Sequence, residues 1–214
     1  MTHIFLVRHG ATIWHAENRY AGRSDVALNN EGLAQAQRLG EWASAAKLTS
    51  IWCSPLSRAI STATPAANAT GLKPLTIDPR LSELDFGEVE GMTIAEAEKR
   101  FREAIQRFRA DPEHNPMPGG EDPRNAAARA IEVLYNIANA YPNGRVLVVS
   151  HNTLIRLALC SLFGIPLARY RAIFPEVINC ALTEIRFRDK EVALLRYNSD
   201  VAPIVNHQSS KESQ

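Results

Sequence analysis

Two histidines and two arginines stand at positions where their side chains could do chemistry. His9 follows Arg8 directly after a short apolar run, His151 follows another apolar run, and Arg58 lies early in a helix-like segment. A guanidinium binds two oxygens of one anion, and an imidazole nitrogen can act as a nucleophile. Four such groups around one empty pocket repel one another, because like charges disfavour the charged forms. The set therefore predicts a site for a dianion such as a phosphoryl group.

Two further residues could complete such a site. Glu83, in a loop after a predicted strand, is the carboxylate best placed to protonate a leaving oxygen, and Thr12 offers a hydroxyl three residues after His9. From its neighbours alone, Glu83 is interpreted equally well as part of a solvated acidic loop. A packed histidine or a solvated helix arginine is likewise the alternative for each of the other residues. Their shared position after strands is what favours a common site.

Alternating strands and helices must position these residues. The strands are predicted at 3–7, 50–53, 75–77, 145–150, 177–187 and 192–197, the last two joined around 188–190 as an antiparallel hairpin. The helices are predicted at 29–47, 54–68, 93–109, 124–141 and 152–163, with Ser54 and Pro55 starting the second helix and Pro65 bending or ending it. This alternation predicts an α/β fold of three layers, α/β/α, with a mostly parallel central sheet. Ligands bind at the carboxyl ends of the strands in such sheets, where the segments that carry the candidate residues would meet.

Composition and charge exclude several classes of protein. The 214 residues are 45% hydrophobic and 22% charged, which predicts one globular domain over 1–200 and a polar tail over 201–214. Lys plus Arg (24) nearly balance Asp plus Glu (23), so we expect neither nucleic acid nor a membrane as a partner. Three separated cysteines and an N-terminus without a signal-peptide pattern predict a cytoplasmic protein without a disulfide framework. The sequence leaves the formation of a homodimer open.

Several segments resemble one known family in their order along the chain. They are FLVRHGATIW at 5–14, GRSD at 22–25 with the segment 28–32, CSPLSRA at 53–59, the loop 83–91, PGGE at 118–121 and VSHN at 149–152. Together they look like the motifs of the histidine phosphatase superfamily, and the resemblance covers about residues 3–198. It implies a phosphoglycerate mutase-like fold.

The resemblance implies a role for each matching residue. His9 would be the nucleophile that becomes phosphohistidine, and Glu83 the proton donor. The residues implied to clamp the phosphoryl oxygens are Arg8, Arg58 and His151, and those implied to bind the substrate are Thr12, His15, Gly22 and Asn152. His15 departs from the pattern, because the family usually has Asn at this position. Whether His15 donates to the phosphate or contacts the rest of the substrate stays open.

The resemblance implies a phosphatase that hydrolyses a small phosphorylated metabolite without a metal or a cofactor. In accord with this, the sequence shows no spaced set of metal ligands and no GxxxxGK[ST] loop. The alternatives are a phosphomutase that uses the same pocket and a non-catalytic module that binds a phosphorylated ligand. Cys53 and Arg58 lack the spacing of a cysteine phosphatase loop, which would have one more residue between them.

A loop at 111–123 bears on the choice between phosphatase and mutase. Its four prolines and two glycines make it a candidate lid over the pocket. Its charged residues are Asp111, Glu113, Glu121 and Asp122, with His114 as the one potential cation. Such a lid would repel a second anionic group on the substrate, so the loop favours hydrolysis.

Overall fold

A six-stranded sheet forms the centre of the structure, a computed structural model that describes residues 1–189 and 191–201. The strands are β1 (Thr2–Arg8), β2 (Ser50–Cys53), β3 (Thr76–Ile77), β4 (Arg145–Ser150), β5 (Leu182–Arg188) and β6 (Glu191–Ser199). They lie in the order β3-β2-β4-β1-β5-β6. The first four strands pair in parallel, whereas β5 pairs antiparallel with both β1 and β6. The predicted mostly parallel sheet with a C-terminal hairpin is confirmed.

Helices cover both faces of this sheet. They are α1 (Asn30–Ala45), α2 (Ser57–Thr70), α3 (Ile94–Arg100), α4 (Arg102–Ala110), α5 (Pro123–Ala140), α6 (Asn152–Leu162) and α7 (Tyr170–Ile173). Successive side chains of a strand point to opposite faces, and β1 shows this directly. Phe5 and Val7 pack in one apolar cluster with α1 and α2, while Ile4 and Leu6 pack in another with α4, α5 and α6. The three-layer α/β/α prediction is therefore confirmed.

The register of the central strands sets the position of the candidate residues. Arg8 at the end of β1 lies opposite Ser150 at the end of β4, and Val149 lies opposite Cys53 at the end of β2. The residues that follow these three strands therefore emerge at one level on the same edge of the sheet. His9 and His151 follow two neighbouring strands at that edge.

The prediction of one helix over 93–109 is wrong. The segment forms α3 and α4, which are separated at Phe101, where φ is −127° and ψ is 37°. Phe101 packs against the larger apolar cluster, and Ile105 and Phe108 of α4 are buried in it. Packing of these aromatic and aliphatic side chains thus takes precedence over a continuous helical hydrogen-bond ladder.

The hairpin strands also differ from the prediction. The first strand, predicted at 177–187, is β5 and begins only at Leu182, because the preceding chain turns at Cys180, which has a φ of 60°. The carbonyl of Val177 accepts a hydrogen bond from Arg8 instead of pairing with a strand. The second strand, β6, is longer than predicted. Lys190 of the predicted turn lies outside the described residues, as does the predicted polar tail beyond Val201.

The start and the proline of the second helix differ from expectation as well. α2 begins at Ser57 rather than at Ser54, whose hydroxyl contacts His151 instead of capping the helix. Pro65 does not end the helix, which continues to Thr70 and stops at Gly71. A Cβ at Gly40 of α1 would lie 3.0 Å from Pro65, so the glycine allows the proline-bearing turn to pack closely.

Within 1–189 and 191–201, none of the helices has both the length and the apolar character needed to cross a membrane.

Candidate active site

An open pocket of about 370 Å³ lies at the edge of the sheet where β1 and β4 end. Eight of the nine predicted site residues line it, namely Arg8, His9, Thr12, His15, Gly22, Arg58, Glu83 and Asn152. The ninth, His151, is fully buried beside His9, with their ring centroids 5.1 Å apart. The structure therefore brings together all nine residues, which are drawn from five separate segments of the chain.

His9 is held firmly through its backbone and through one ring nitrogen. Its N–H donates to the carbonyl of Ser150 at 3.0 Å, and its carbonyl accepts from Nδ2 of Asn179 at 2.6 Å. Nδ1 lies 2.7 Å from the carbonyl oxygen of Gly10, which can only accept, so Nδ1 carries the proton. Burial, followed by the nearby charges of Arg58 and Arg8, places the pKa of His9 well below its ordinary value. Nε2 is therefore a neutral nitrogen with a lone pair.

Arg58 approaches that nitrogen from the first turn of α2. Its Nε donates to Nε2 of His9 at 3.3 Å, and its two Nη atoms donate to the carbonyls of Ser24 at 2.7 Å and Gly22 at 2.6 Å. The side chain is 1% exposed, and burial lowers the pKa of Arg58. A buried guanidinium held by three acceptors is pre-positioned, which favours the binding of an anion without reorganisation.

The loop that supplies these carbonyls depends on a glycine. Gly22 has a φ of 48°, and a Cβ there would lie 1.8 Å from Oε1 of Glu90. The Glu90 carboxylate accepts from the backbone N–H groups of Arg23, Ser24 and Phe86. Gly22 was predicted as a substrate-binding residue, and in the structure its carbonyl accepts a hydrogen bond from Arg58. Glu90 was missed, although it lies in the loop that carries Glu83.

Arg8, Thr12 and His15 form a connected group on the other side of His9. Nη1 of Arg8 donates to the carbonyl of Val177 at 2.9 Å, and its Nη2 lies 2.8 Å from Nε2 of His15. The backbone N–H of Thr12 donates to Nδ1 of His15 at 2.9 Å. Burial, then Arg8 and Arg58, lowers the pKa of His15 to about 4, and burial lowers the pKa of Arg8 to about 10.

The two N–H donors to His15 compete for one lone pair. A neutral imidazole has one N–H, yet Thr12 and Arg8 both present donors to its ring nitrogens. When the proton is on Nε2, that N–H faces the guanidinium of Arg8, and when it is on Nδ1, it reaches Oγ1 of Thr12 at 2.8 Å but also faces the N–H of Thr12. An anion seated between Arg8 and His15 would accept from both and would remove the conflict.

His151 lies behind the pocket rather than on its wall. Its Nε2 is 2.8 Å from Oγ of Ser54, and its Nδ1 is buried without a partner. Burial, followed by the positive charge of Arg58, places the pKa of His151 well below its ordinary value. The neutral ring therefore has one polar atom without a partner, and the ring as a whole lies beside that of His9. Ser54 was missed as a site residue because a hydroxyl before a proline is read as a helix cap.

Glu83 is fixed by the start of α6. Oε1 accepts from the backbone N–H groups of Leu84 at 2.8 Å and Leu154 at 2.9 Å, and Oε2 accepts from that of Thr153 at 3.0 Å. Two of these donors belong to the first turn of α6, whose N–H groups have no partner within the helix. The carboxylate thus serves as the cap of α6 and lines the pocket at the same time. Oε1 accepts two of these hydrogen bonds and Oε2 accepts one, so Oε2 is the oxygen that is freer to take up a proton.

Polar atoms without partners concentrate around this pocket. Within the described residues, six buried side-chain nitrogen or oxygen atoms have no hydrogen-bond partner, and four of them belong to Arg8, His151, Asn152 and Arg156. Buried polar groups are nearly always satisfied, so a cluster of exceptions indicates a place for a ligand. Asn152 provides one of these atoms from the N-terminus of α6.

The outer part of the pocket is basic, which the sequence reasoning missed. Its lining includes four further arginines, which are Arg19, Arg109, Arg156 and Arg171. One of them left a signal in the sequence. Arg156 interrupts the most apolar stretch of the chain and lies four residues after Asn152, so on a helix it shares the face of a predicted site residue. Arg171 reaches the pocket through the short helix α7, which was not predicted.

The expectation of an acidic lid at 111–123 does not hold. None of these residues lines the pocket. Their carboxylates are engaged elsewhere: Asp111 pairs with His114, Glu121 with Arg129 and Arg23, Asp122 with Arg124, and Glu113 accepts from the backbone of Ala168. These carboxylates therefore do not oppose a second anionic group in the pocket.

Among the described residues, the site has no cluster of metal-ligating side chains. In the part of the chain that the structure describes, no group of three or more His, Cys, Asp and Glu side chains is arranged to hold a metal ion. The charges that converge on His9 are instead guanidinium groups.

Comparison with known proteins places the chain among its relatives. It is 31% identical over 210 residues to the protein named "Probable phosphoglycerate mutase GpmB" of Salmonella choleraesuis, with 97% of this chain and 95% of that protein covered. A mycobacterial glucosyl-3-phosphoglycerate phosphatase, solved with VO3, is 27% identical and superposes with a TM-score of 0.84 over 92% of this chain and 99% of that one. The alpha-ribazole phosphatase of Shigella flexneri is 25% identical, with a TM-score of 0.83 over 92% of this chain and 96% of that one.

A family model gives the same result over nearly the whole chain. The histidine phosphatase superfamily (branch 1) model matches residues 4–200. The predictions of family, of fold and of an enzyme of the histidine phosphatase type are thereby confirmed, and the alternative of a non-catalytic module is set aside. This chain belongs to the histidine phosphatase superfamily.

Proposed function

We propose that the chain is a metal-independent phosphatase that hydrolyses small phosphomonoesters through a phosphohistidine on His9, with Glu83 as proton donor. The observation that carries this proposal is the contact between Nε of Arg58 and the unprotonated Nε2 of His9 in a pocket that Arg8 and Glu83 also line. This contact places the neutral nucleophile next to the cation that would bind the phosphoryl group.

In the first step, Nε2 of His9 attacks phosphorus and forms a P–N bond while the P–O bond to the alcohol breaks. Negative charge in such a transfer is spread over the equatorial oxygens, where Arg8 and Arg58 provide fixed positive charge. Positive charge develops on the ring of His9, and the hydrogen bond from Nδ1 to the carbonyl of Gly10 favours it. The departing alkoxide takes its proton from Glu83.

In the second step, water attacks the phosphohistidine and Glu83 takes up its proton. The P–N bond breaks, inorganic phosphate leaves, and His9 returns to its neutral form. Three backbone hydrogen bonds hold the Glu83 carboxyl group in one place through both steps. Splitting a slow displacement into two easier ones is the general advantage of a covalent intermediate.

The two other histidines are proposed as donors to the phosphoryl oxygens. His151 can accept from the Ser54 hydroxyl at Nε2, which puts its proton on the unpartnered Nδ1 of a ring that lies beside His9. His15 can accept from the Thr12 N–H at Nδ1 and donate from Nε2 beside Arg8. An asparagine amide would offer an N–H donor as well, so His15 keeps the chemistry of the residue that it replaces.

A phosphomutase is the second candidate. It is favoured by the 31% identity to a protein named as a phosphoglycerate mutase and by the basic outer pocket, which can hold a second anionic group. Hydrolysis is preferred because two superposable structures are named as phosphatases and because the pocket is open, so water can reach a phosphoenzyme. The cytoplasmic location stays a prediction, and the formation of a homodimer stays open.

The test follows phosphate release from a panel of phosphorylated metabolites after treatment of the enzyme with a strong chelator. We expect turnover to persist, to be inhibited by vanadate, and to disappear in His9→Ala but not in His114→Ala, whose side chain is 62% exposed on a distant loop. Conversion of 3- to 2-phosphoglycerate, followed in parallel with 2,3-bisphosphoglycerate present, should be slower than phosphate release. Restoration of a lost activity by a divalent ion, or faster mutase turnover, would contradict the proposal.

A further inference from the structure

The arginines of the outer pocket fall into two kinds. Arg19 pairs with Glu17 and Glu96, and Arg109 pairs with Glu98 at 2.6 Å. Arg156 and Arg171 differ, since neither forms an ion pair with a carboxylate in the described part of the chain. Two positive charges on the pocket wall are thus left uncompensated, in addition to Arg8 and Arg58.

Arg156 is the more informative of the two. Arg156 is only 8% exposed, and its Nε is buried without a hydrogen-bond partner. One Nη atom donates to the carbonyl of Pro175 and thereby fixes the guanidinium. Burying a charged donor without a partner is unfavourable unless a ligand supplies the acceptor.

Arg171 is held at the pocket by aromatic rings. Its Nε donates to the hydroxyl of Tyr170 at 2.9 Å, and its guanidinium lies 4.8 Å from the ring centroid of Phe108. The ring of Tyr170 lies 6.0 Å from the guanidinium of Arg156, so one tyrosine contacts both cations. Arg156 and Arg171, which we call the outer arginine pair, are therefore two positioned cations that share a rigid aromatic support.

The position of the outer arginine pair relative to Glu83 decides which part of a substrate it would meet. Glu83 accepts hydrogen bonds from the backbone N–H groups of Thr153 and Leu154 in the first turn of α6, and Arg156 lies on the next turn of that helix. Glu83 and the outer arginine pair also line the same pocket. Glu83 protonates the leaving oxygen in the proposed mechanism, so the pair lies on the side of the alcohol.

We propose that the outer arginine pair is a second anion subsite, so that the substrate is a phosphomonoester whose alcohol part carries another anionic group. This inference rests on the proposed function for the direction of the leaving group. The bound anion would accept from Nε of Arg156 and from the free N–H groups of Arg171. A carboxylate and a second phosphate share this chemistry, and the experiment below separates them.

The test compares matched substrates that differ only in the second anion. The carboxylate pairs are 3-phosphoglycerate with glycerol 3-phosphate, and 2-phosphoglycolate with 2-hydroxyethyl phosphate, while propane-1,3-diol bisphosphate with its monophosphate tests the second phosphate. We expect kcat/KM to favour the anionic member of at least one pair by about 10- to 100-fold, the range for one charged hydrogen-bonded contact. The pair that shows the preference identifies the anion.

Substitutions then assign the preference to the outer arginine pair. Arg171→Gln and Arg156→Gln should each reduce the ratio toward one, Arg171→Lys should keep most of it, and Arg124→Gln, an exposed arginine of α5, should leave it unchanged. The ratio is the readout, so a general loss of activity does not affect the comparison. Equal kcat/KM within all three pairs, or a preference that both glutamine variants retain, would overturn the inference.

A binding measurement separates this inference from the proposed function. Titration calorimetry of the His9→Ala variant with the same substrate pairs should show the same preference for the second anion. If the preference is present but phosphate release does not depend on His9, the proposed function fails and the subsite stands. If phosphate release depends on His9 but no pair shows a preference in either experiment, the subsite fails and the phosphatase stands.

Discussion

Nε of Arg58 donates to Nε2 of His9 across 3.3 Å, while the two Nη atoms of the same guanidinium hold the carbonyls of Gly22 and Ser24. In the proposed mechanism, one side chain therefore orients the nucleophile and provides charge for the phosphoryl group, and it also holds the loop that carries Gly22 and Ser24. The proposed mechanism and the local stability of the site are thus connected through Arg58.

Arg58→Ala should lower kcat by about 10²- to 10³-fold, because it removes a preorganised donor from the transition state. Replacing a solvated helix arginine would hardly change the fold, but the Arg58 guanidinium is buried and donates to two backbone carbonyls. Leaving those carbonyls without donors should cost about 1–3 kcal/mol in the free energy of unfolding. Phosphate release and urea unfolding measure the two effects. A rate effect of tenfold or less would mean that Arg58 is only structural.

Glu83→Gln should show a rate loss that depends on the leaving group. An alkyl phosphate needs a proton on its departing oxygen, so we expect a loss of about 10²- to 10⁴-fold. 4-Nitrophenyl phosphate has a stable leaving group and should lose much less. Because Glu83 also caps α6, circular dichroism must show that the variant is folded. An equal loss on both substrates would assign Glu83 a structural role alone.

Gly22→Ala should damage the site more than an alanine at another glycine of the same backbone conformation. Gly22 and Gly71 have φ values of 48° and 74°, so both substitutions carry the strain of a left-handed residue, roughly 1–2 kcal/mol. A Cβ at Gly22 would collide with Glu90, whereas nothing lies within 4 Å of a Cβ at Gly71. We expect kcat to fall more than tenfold in Gly22→Ala and to be retained in Gly71→Ala. Equal activity of the two variants would show that the loop at Gly22 does not position Arg58.

Folding stability should fall on acidification below about pH 6.5. Burial lowers the pKa of His9 and His151 well below the ordinary value of 6.5 and that of His15 to about 4. The unfolded chain therefore binds protons that the folded chain does not, and stability is full above pH 6.5 and decreases toward pH 4. Each buried histidine contributes a slope approaching roughly 1.4 kcal/mol per pH unit, and the partly exposed His15 contributes less.

Urea unfolding between pH 5 and pH 7 measures this slope. His9→Ala should reduce the slope by the contribution of about one proton. His114→Ala should leave the slope unchanged, since that side chain is largely exposed. A stability that does not vary over this range in the unaltered protein would show that the three rings are protonated in the folded state.

The central part of the site was predictable because strand register determines it. β1 and β4 have continuous apolar cores, and their parallel pairing places Arg8 opposite Ser150, which brings His9 and His151 together. A sequence shows where such strands end. The position of Arg58 was predictable in the same way, because the short strand β2 ends just before α2, which carries Arg58.

The outer pocket was not predictable to the same extent, because it depends on tertiary packing. Arg171 reaches the pocket from a four-residue helix and is held there by Phe108, which lies more than 60 residues earlier in the chain. The break at Phe101 that leads into α4 likewise depends on burial rather than on local spacing. Arg156 is the exception, since its helical spacing from Asn152 was visible in the sequence.

The most direct test of the phosphohistidine is to trap it. The enzyme is mixed with a phosphomonoester, quenched within its first turnovers, digested under alkaline conditions and analysed by mass spectrometry, with His9→Ala and His114→Ala treated in parallel. We predict phosphate on the peptide that contains His9, stable to base and lost in acid, present in His114→Ala and absent in His9→Ala. Phosphate on Cys53 or Ser57, or a His9→Ala variant that still turns over and carries label, would contradict the account.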